Sequence, residues 1–367
     1  MATPLKDLYC DTFYASFCSD FKQVNPSFDA TGFTRAIFND AFDSMELKDR
    51  MKHTTATLHE FMSGNYVNDV QLLLNLVETL DKNDRYGMGL EYQFLPEYVS
   101  EYGLDYWDES IPALERITQF TTCEFAVRPF LTKFGQDMVD QMIKWSKHKN
   151  HKVRRLASEG TRARLPWGMA LPVFKKDPGP ILPILENLKN DGSEFVRRSV
   201  ANNLNDIAKD NPAITLRLAT EWIGFSKERD ALVKHACRSL LKAGDQTALA
   251  LFGLDSKGLE ASNFAVHTPR VSMGERMRFS FMVENNTNKN RNIRIEYAIH
   301  HLKKNGERTK KVFKISEREI GASTSFSMER EHHFKPITTR VYYSGIHYVS
   351  VILNGLEGDK QSFELLV

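Results

Sequence analysis

The chain has 367 residues, 41% hydrophobic and 26% charged, which rules out disorder and fibre and leaves room for two domains, each with its own core. No apolar run approaches the roughly 20 residues a membrane-spanning helix needs. Cys10, Cys18, Cys123 and Cys237 lie scattered without CxxC spacing or a signal segment before them, so a reduced, cytoplasmic protein without membrane association is expected.

From the N-terminus to about residue 258 apolar residues recur at helical spacing and the punctuation marks helix ends. Phe33, Ile37 and Phe38 with Phe42 form one stripe; Val70, Leu73, Leu74, Val77 and Leu80 form another. A third, Ile181, Ile184, Leu185 and Leu188, follows the breaker Asp177-Pro178-Gly179-Pro180. Such stripes are core and carry no function of their own.

Self-similarity says more. Val153-Arg154-Arg155, Val196-Arg197-Arg198 and Val233-Lys234-His235 repeat a unit of Val followed by two basic residues. The spacing of roughly 40 residues is that of HEAT-like pairs of antiparallel helices, which stack into a solenoid. The arginines at these positions either face a basic groove suited to a duplex or form salt bridges between repeats.

After Leu254-Asp255-Ser256-Lys257-Gly258 the period changes to two. Arg278–Val283, Ile293–Tyr297, Lys311–Ile315 and Tyr348–Leu353 read as strands, bounded by Asn285-Asn286, Lys304-Asn305-Gly306 and Asn354-Gly355. The expected architecture is therefore multidomain α + β: an all-α HEAT-like solenoid over 1–258 and an immunoglobulin-like β-sandwich over 259–367. The net charge is only +2, yet between Asn286 and Arg340 thirteen Lys or Arg stand against six Glu and no Asp. That segment is either a solvated surface or a phosphate-binding patch.

Gly-rich nucleotide loops, HExxH, GxSxG and metal-ligand clusters of His and Cys are all missing from the sequence, so no cofactor and no metal are expected. The pairs His300-His301 and His332-His333 alternate across strands and read as surface histidines. Three stretches of the helical part combine acids, bases and aromatics. In Gln119–Phe130, Glu124 and Arg128 are spaced for a helical ion pair. In Arg154–Gly168, four arginines and Trp167 lie beside Pro166 and Gly168. In Ser199–Asp210, Asn202, Asn203, Asn205 and Asp206 occupy places where a solenoid helix would use better helix formers, so they serve either capping or a role outside folding.

At these residues the chain closely resembles the AlkC branch of the HEAT-like DNA alkylation-repair glycosylases. The resemblance spans nearly the whole chain. It rests on Pro4–Asp7, Leu104–Asp108, Glu124–Phe130, Val153–Gly160 running into Leu165-Pro166-Trp167, and Val196–Asp206. It implies hydrolysis of the N-glycosidic bond of cationic alkylated bases, 3-methyladenine and 3-methylcytosine, in base excision repair and without a base-flipping pocket. The resemblance further implies that Glu124 stabilises the deoxyribose cation and positions water, that Asp206 assists from the neighbouring repeat, that Trp167 lays its π face on the sugar, and that Arg155 holds a phosphate.

Arg154, Arg162 and Arg198 join Arg155 as expected DNA contacts. Charge alone nominates Lys303, Lys304, Arg308, Lys310 and Lys311 on the β-domain. The expected partner is double-stranded DNA with alkylated bases, met by a monomer in a bacterial cytoplasm and on the nucleoid when bound. The alternative is a non-catalytic repeat scaffold that binds DNA or protein. Such a scaffold needs the basic residues, but not Glu124 and Asp206 beside Trp167.

Overall fold

The computed structural model describes residues 4–85, 89–337 and 340–367. Its chain forms two compact units, one of residues 1–211 with 222–236 and one of 212–221 with 237–367. Sixteen α-helices among the described residues precede eight strands.

The first unit is helical for the reason its stripes suggest. Helix Tyr66–Lys82 buries Val70, Leu73, Leu76, Val77 and Leu80 along one face, and Asn65 caps it by accepting from the Asn68 amide at 3.2 Å. Helices His151–Gly160, Glu194–Ile207 and Lys227–Ala236 contain the three Val-basic-basic units, the first two in their opening turn and the third in its last, and pack side by side in that order. Val153, Val196 and Val233 are fully buried beneath them.

The first basic residue of a unit has a repeated structural task. Arg154 Nη1 donates to the His148 and Lys149 carbonyls at 2.9 and 2.8 Å, and Arg197 Nη1 does the same to Asp191 and Gly192 at 2.7 and 3.0 Å. Each arginine thus ties down the loop that leads into its own helix by bonding two of its carbonyls.

The second unit carries a β-sandwich. Its strands are β1 Leu259–Val266, β2 Arg270–Ser272, β3 Arg276–Asn285, β4 Arg291–Leu302, β5 Arg308–Ile320, β6 Ser325–His333, β7 Gly345–Leu353 and β8 Leu356–Leu366. One sheet has the order β1-β3-β6 and the other β2-β8-β7-β4-β5, with β2 and β8 the parallel pair. Met277, Phe279, Phe281 and Val283 alternate inward from β3 against Ile293, Ile295, Tyr297 and Ile299 of β4. Asn354 and Gly355 take φ of 44° and 77°, the two left-handed residues of the tight turn joining β7 to β8.

The adjacent histidines are not on the surface as expected. β4 lies between β5 and β7 and is buried along Ile293–His301, on both faces. His300, His301 and His332 are each more than nine-tenths buried, and only His333 keeps partial exposure. His332 shares a 2.9 Å hydrogen bond with the Tyr297 hydroxyl, and burial pushes its pKa down to about 4. His301 packs against Phe334, Tyr342 and His347, and burial pushes it to about 3.

Candidate active site

Glu124 lies in the turn that enters helix Val127–Phe134, not inside a helix, so the spacing to Arg128 forms no ion pair. Its partner comes from the next repeat: Arg155 Nη1 donates to Glu124 Oε2 at 3.2 Å and to Thr122 Oγ1 at 3.0 Å. The same guanidinium stacks over the Phe195 ring with its central carbon 4.4 Å from the centroid. Its Nη2 lies 3.9 Å from Glu159.

From there the charges alternate without a break. Glu159 accepts from Arg162 Nη1 at 2.6 Å and, on its other oxygen, from the Ser199 hydroxyl at 2.6 Å. Arg162 Nε donates to Asp206 at 2.9 Å, and the second Asp206 oxygen accepts from Lys209 at 3.0 Å. Glu124, Arg155, Glu159, Arg162, Asp206 and Lys209 therefore form one chain of three acids and three bases. Only its Lys209 end is substantially exposed, with 42% of that side chain open against 2% for Asp206. A buried charge left without a partner costs several kcal/mol, so the alternation is what permits so many in one place. At Arg162 burial works against the charge, but Glu159 and Asp206 outweigh it and raise the pKa.

The unfavourable asparagines of helix Glu194–Ile207 belong to the seams between repeats. Asn203 Nδ2 donates to the Ser158 carbonyl at 2.8 Å, and Asn202 shares a 3.0 Å hydrogen bond with His235. Their cost in helix propensity is offset by these ties across helices.

Trp167 stands apart from the other three tryptophans, of which Trp107 is half-buried with its ring 4.8 Å from that of Phe134. Trp145 and Trp222 are core, each donating its indole N–H to a glutamate, Glu115 at 2.7 Å and Glu186 at 3.1 Å. Trp167 is 61% exposed and sits at φ +63°, on the loop that follows helix His151–Gly160. Two cations hold that loop: Lys48 Nζ donates to the Trp167 carbonyl, and Arg128 Nε donates to the Met169 carbonyl. Arg128 is fully buried and also donates to the Gly160 carbonyl at 2.9 Å; burial lowers its pKa to about 10. Lys48 Nζ lies 5.0 Å from the centroid of the Phe125 ring, beside Glu124. The Glu124 segment and the Trp167 loop are thereby brought together.

The expected DNA contacts divide. Arg198 is exposed and lines an open pocket with Lys227 and His235. Arg155 is half-buried and engaged with Glu124. Arg154, beyond its two loop carbonyls, makes a bidentate pair with Asp191 at 2.5 and 2.9 Å. Arg162 is buried between the carboxylates of Glu159 and Asp206. Asp206 is 1% exposed, and its two oxygens are taken by Arg162 and Lys209.

On the sandwich, strand alternation separates the five basic residues. Arg308 stacks on Tyr348, and Lys310 pairs with Glu357 at 2.6 Å. Lys311 lies over Phe313, on the opposite side of β5 from Lys310. Lys303 and Lys304 are exposed at the β4–β5 turn, Lys303 being 3.6 Å from Glu307. Sequence reasoning missed Lys48, Thr122, Phe195 and Ser199; the first carries no local signal, and the others lack a charge to mark them.

No group of three or more His, Cys, Asp or Glu among the described residues is arranged to hold a metal, and no helix among them is long and apolar enough to cross a membrane.

A family model described as "DNA alkylation repair enzyme" matches residues 34–221, and one for the C-terminal Ig-like domain of the uncharacterised protein YhaZ matches 260–367. The uncharacterised protein YhaZ of Bacillus subtilis (strain 168) is 41% identical over 362 residues, 98% of this chain and 99% of that protein. The structure of the Pseudomonas fluorescens alkylpurine DNA glycosylase AlkC, bound to DNA containing an abasic-site analogue, matches with a TM-score of 0.93 and 35% identity, covering 100% of each chain.

Proposed function

Because this chain belongs to the DNA alkylation repair enzyme family, we propose that it is a DNA glycosylase that excises cationic alkylated bases, 3-methyladenine and 3-methylcytosine, from double-stranded DNA by N-glycosidic hydrolysis. One observation carries the reading. A nearly buried carboxylate, Glu124, is joined through Phe125 and Lys48 to a loop that displays an exposed indole, in a chain that matches an alkylpurine glycosylase over its full length.

A cationic base is a good leaving group, and its departure leaves a sugar with oxocarbenium character. The work left to the protein is to stabilise that positive charge and to position water. Glu124, oriented by Arg155 and Thr122, supplies the negative charge and the water acceptor. Trp167 supplies a π face for the same sugar. Asp206 acts at one remove, holding Arg162, which holds Glu159 in place beside Arg155. Arg198 meets a phosphate, and the half-buried Arg155 meets another with the edge not used by Glu124. Lys303 and Lys304 are the sandwich residues best exposed for the same purpose. Selectivity follows from the charge and weak bond of the lesion, without a pocket for an extruded base. The protein works as a monomer in the cytoplasm, where the DNA is.

The test is release of free base from an alkylated duplex by the wild type and by Glu124→Gln, with duplex binding measured in parallel. The expected result is a collapse of release in the variant with binding kept. Intact binding with no release by the wild type leaves a DNA-binding repeat scaffold and refutes the glycosylase reading.

A further inference from the structure

We infer that Lys48 is a positioning residue for this excision: it fixes the loop that carries Trp167 at a set distance from the Glu124 segment. The inference rests on the glycosylase reading and adds to it a residue that no chemical step requires.

A bulky residue at φ +63° is an outlier that persists only where its surroundings over-determine it. The Trp167 side chain cannot supply that constraint, since 61% of the residue is open to solvent. The backbone must do so. Within the loop, the Gly168 amide bonds the Leu165 carbonyl at 3.1 Å and the Leu171 amide bonds Ala163 at 3.2 Å. From outside it, Arg128 takes the Met169 carbonyl and Lys48 takes that of Trp167 itself.

The two cations differ in kind. Arg128 is fully buried and also holds the end of helix His151–Gly160, so it is part of the fold. Lys48 is exposed, near the start of helix Leu47–Glu60 and 119 residues away in sequence, and among the described residues its ammonium donates to the carbonyl of the residue whose conformation is strained. Its ammonium also lies over Phe125, the residue that follows Glu124. One side chain thus spans from the carboxylate segment to the backbone of the residue that carries the indole, and on the glycosylase reading those two groups flank a single deoxyribose. A misplacement of about 1 Å between such groups costs up to roughly a hundredfold in rate.

The experiment compares Lys48→Met, which keeps most of the stem and removes the donor, with Lys48→Arg, which restores a donor. Three readouts are taken on the full chain: single-turnover release of 3-methyladenine, duplex affinity across a salt series, and acrylamide quenching of tryptophan fluorescence. Trp145 and Trp222 are buried and Trp107 is half-buried, so quenching is read in a Trp107→Phe background, where the accessible signal comes mainly from Trp167. The expected result for Lys48→Met is release slowed by roughly ten- to a hundredfold, duplex affinity within about twofold, an unchanged salt slope, and altered quenching. Lys48→Arg should recover most of the rate.

Wild-type rate and wild-type quenching in Lys48→Met would overturn the inference. So would a loss explained by weaker binding with a salt slope smaller by about one, which would make Lys48 a phosphate contact instead. If the wild type releases no base, the glycosylase reading fails by itself, while quenching still decides whether Lys48 fixes the loop.

Discussion

Replacing Arg162 with Met is the sharpest test of the charge chain. The substitution keeps an apolar side chain in a buried slot and removes the bonds to Glu159 at 2.6 Å and Asp206 at 2.9 Å. Asp206, whose side chain is 2% exposed, then keeps only Lys209, and Glu159 keeps the Ser199 hydroxyl and a guanidinium 3.9 Å away. Breaking a buried pair by removing one partner costs about 3–5 kcal/mol, because the cost is that of the carboxylate left behind. For a helical unit of this size that lowers the melting temperature by roughly 10 °C. Thermal unfolding followed by far-UV circular dichroism reads the shift. The double variant Arg162→Met with Asp206→Asn removes the stranded charge along with its partner, so the two effects should fall short of additivity by at least about 1.5 kcal/mol. A single-variant loss below about 1 kcal/mol, or simple additivity, would refute the claim that these residues act as one electrostatic unit.

Three further outcomes are expected. Arg154→Ala should destabilise the helical unit by about 1–3 kcal/mol through its lost carbonyl and Asp191 bonds and leave the salt dependence of duplex binding unchanged, whereas Arg198→Ala should leave the melt alone and flatten the salt slope by about one; the reverse pattern would overturn the division between them. Trp167→Ala should impair base release while changing unfolding stability by no more than about 0.5 kcal/mol, since the indole is exposed; a loss above about 2 kcal/mol would make it a core residue. In the β unit, His301 and His332 are held near 3 and 4 against 6.5 in the unfolded chain. Their folded pKa values lie below the unfolded one, so the unfolded chain binds the extra protons. The associated stability is complete above about pH 6.5 and falls on acidification toward pH 4, by up to about 1.4 kcal/mol per pH unit for each histidine. His301→Phe should remove its share of that slope in melts between pH 7 and 5, and an unchanged slope would show the loss comes from elsewhere.

The helices of the first unit and half of the strands were legible because their apolar spacing is regular: Val70, Leu73, Val77 and Leu80, or Phe279 and Phe281, bury as read. β8 was not singled out, since Glu357 to Ser362 are polar or glycine and give no alternation. The repeat of Val with two basic residues located the stacked helices correctly. It did not reveal that Arg154 and Arg197 turn back to their own entry loops, because that depends on loop carbonyls rather than on residue type. Glu124 and Arg128 misled for a related reason: a spacing of four is a helical pair only if both residues lie inside the helix, and Glu124 is in the turn before it. His300 and His301 misled because the alternation rule assumes one wet face, and β4 has none, whereas on β6 the alternation holds and turns His332 inward beside Tyr297. Lys48 was beyond reach, its carbonyl partner being 119 residues distant.

The run of alternating charges from Glu124 to Lys209 also sets a limit on how this protein can be hardened. Layers of this kind gain about 1–4 kcal/mol when a whole buried pair is exchanged for well-packed apolar residues. Swapping Glu159, Arg162 and Asp206 for aliphatic side chains would therefore tighten the seam between two repeats and at the same time release the guanidinium of Arg155 from one of its supports. Thermal robustness and a correctly aimed Glu124 pull in opposite directions at these three positions. A laboratory selection for heat resistance alone should drift toward an inert solenoid there, whereas one that also demands repair should keep every charge.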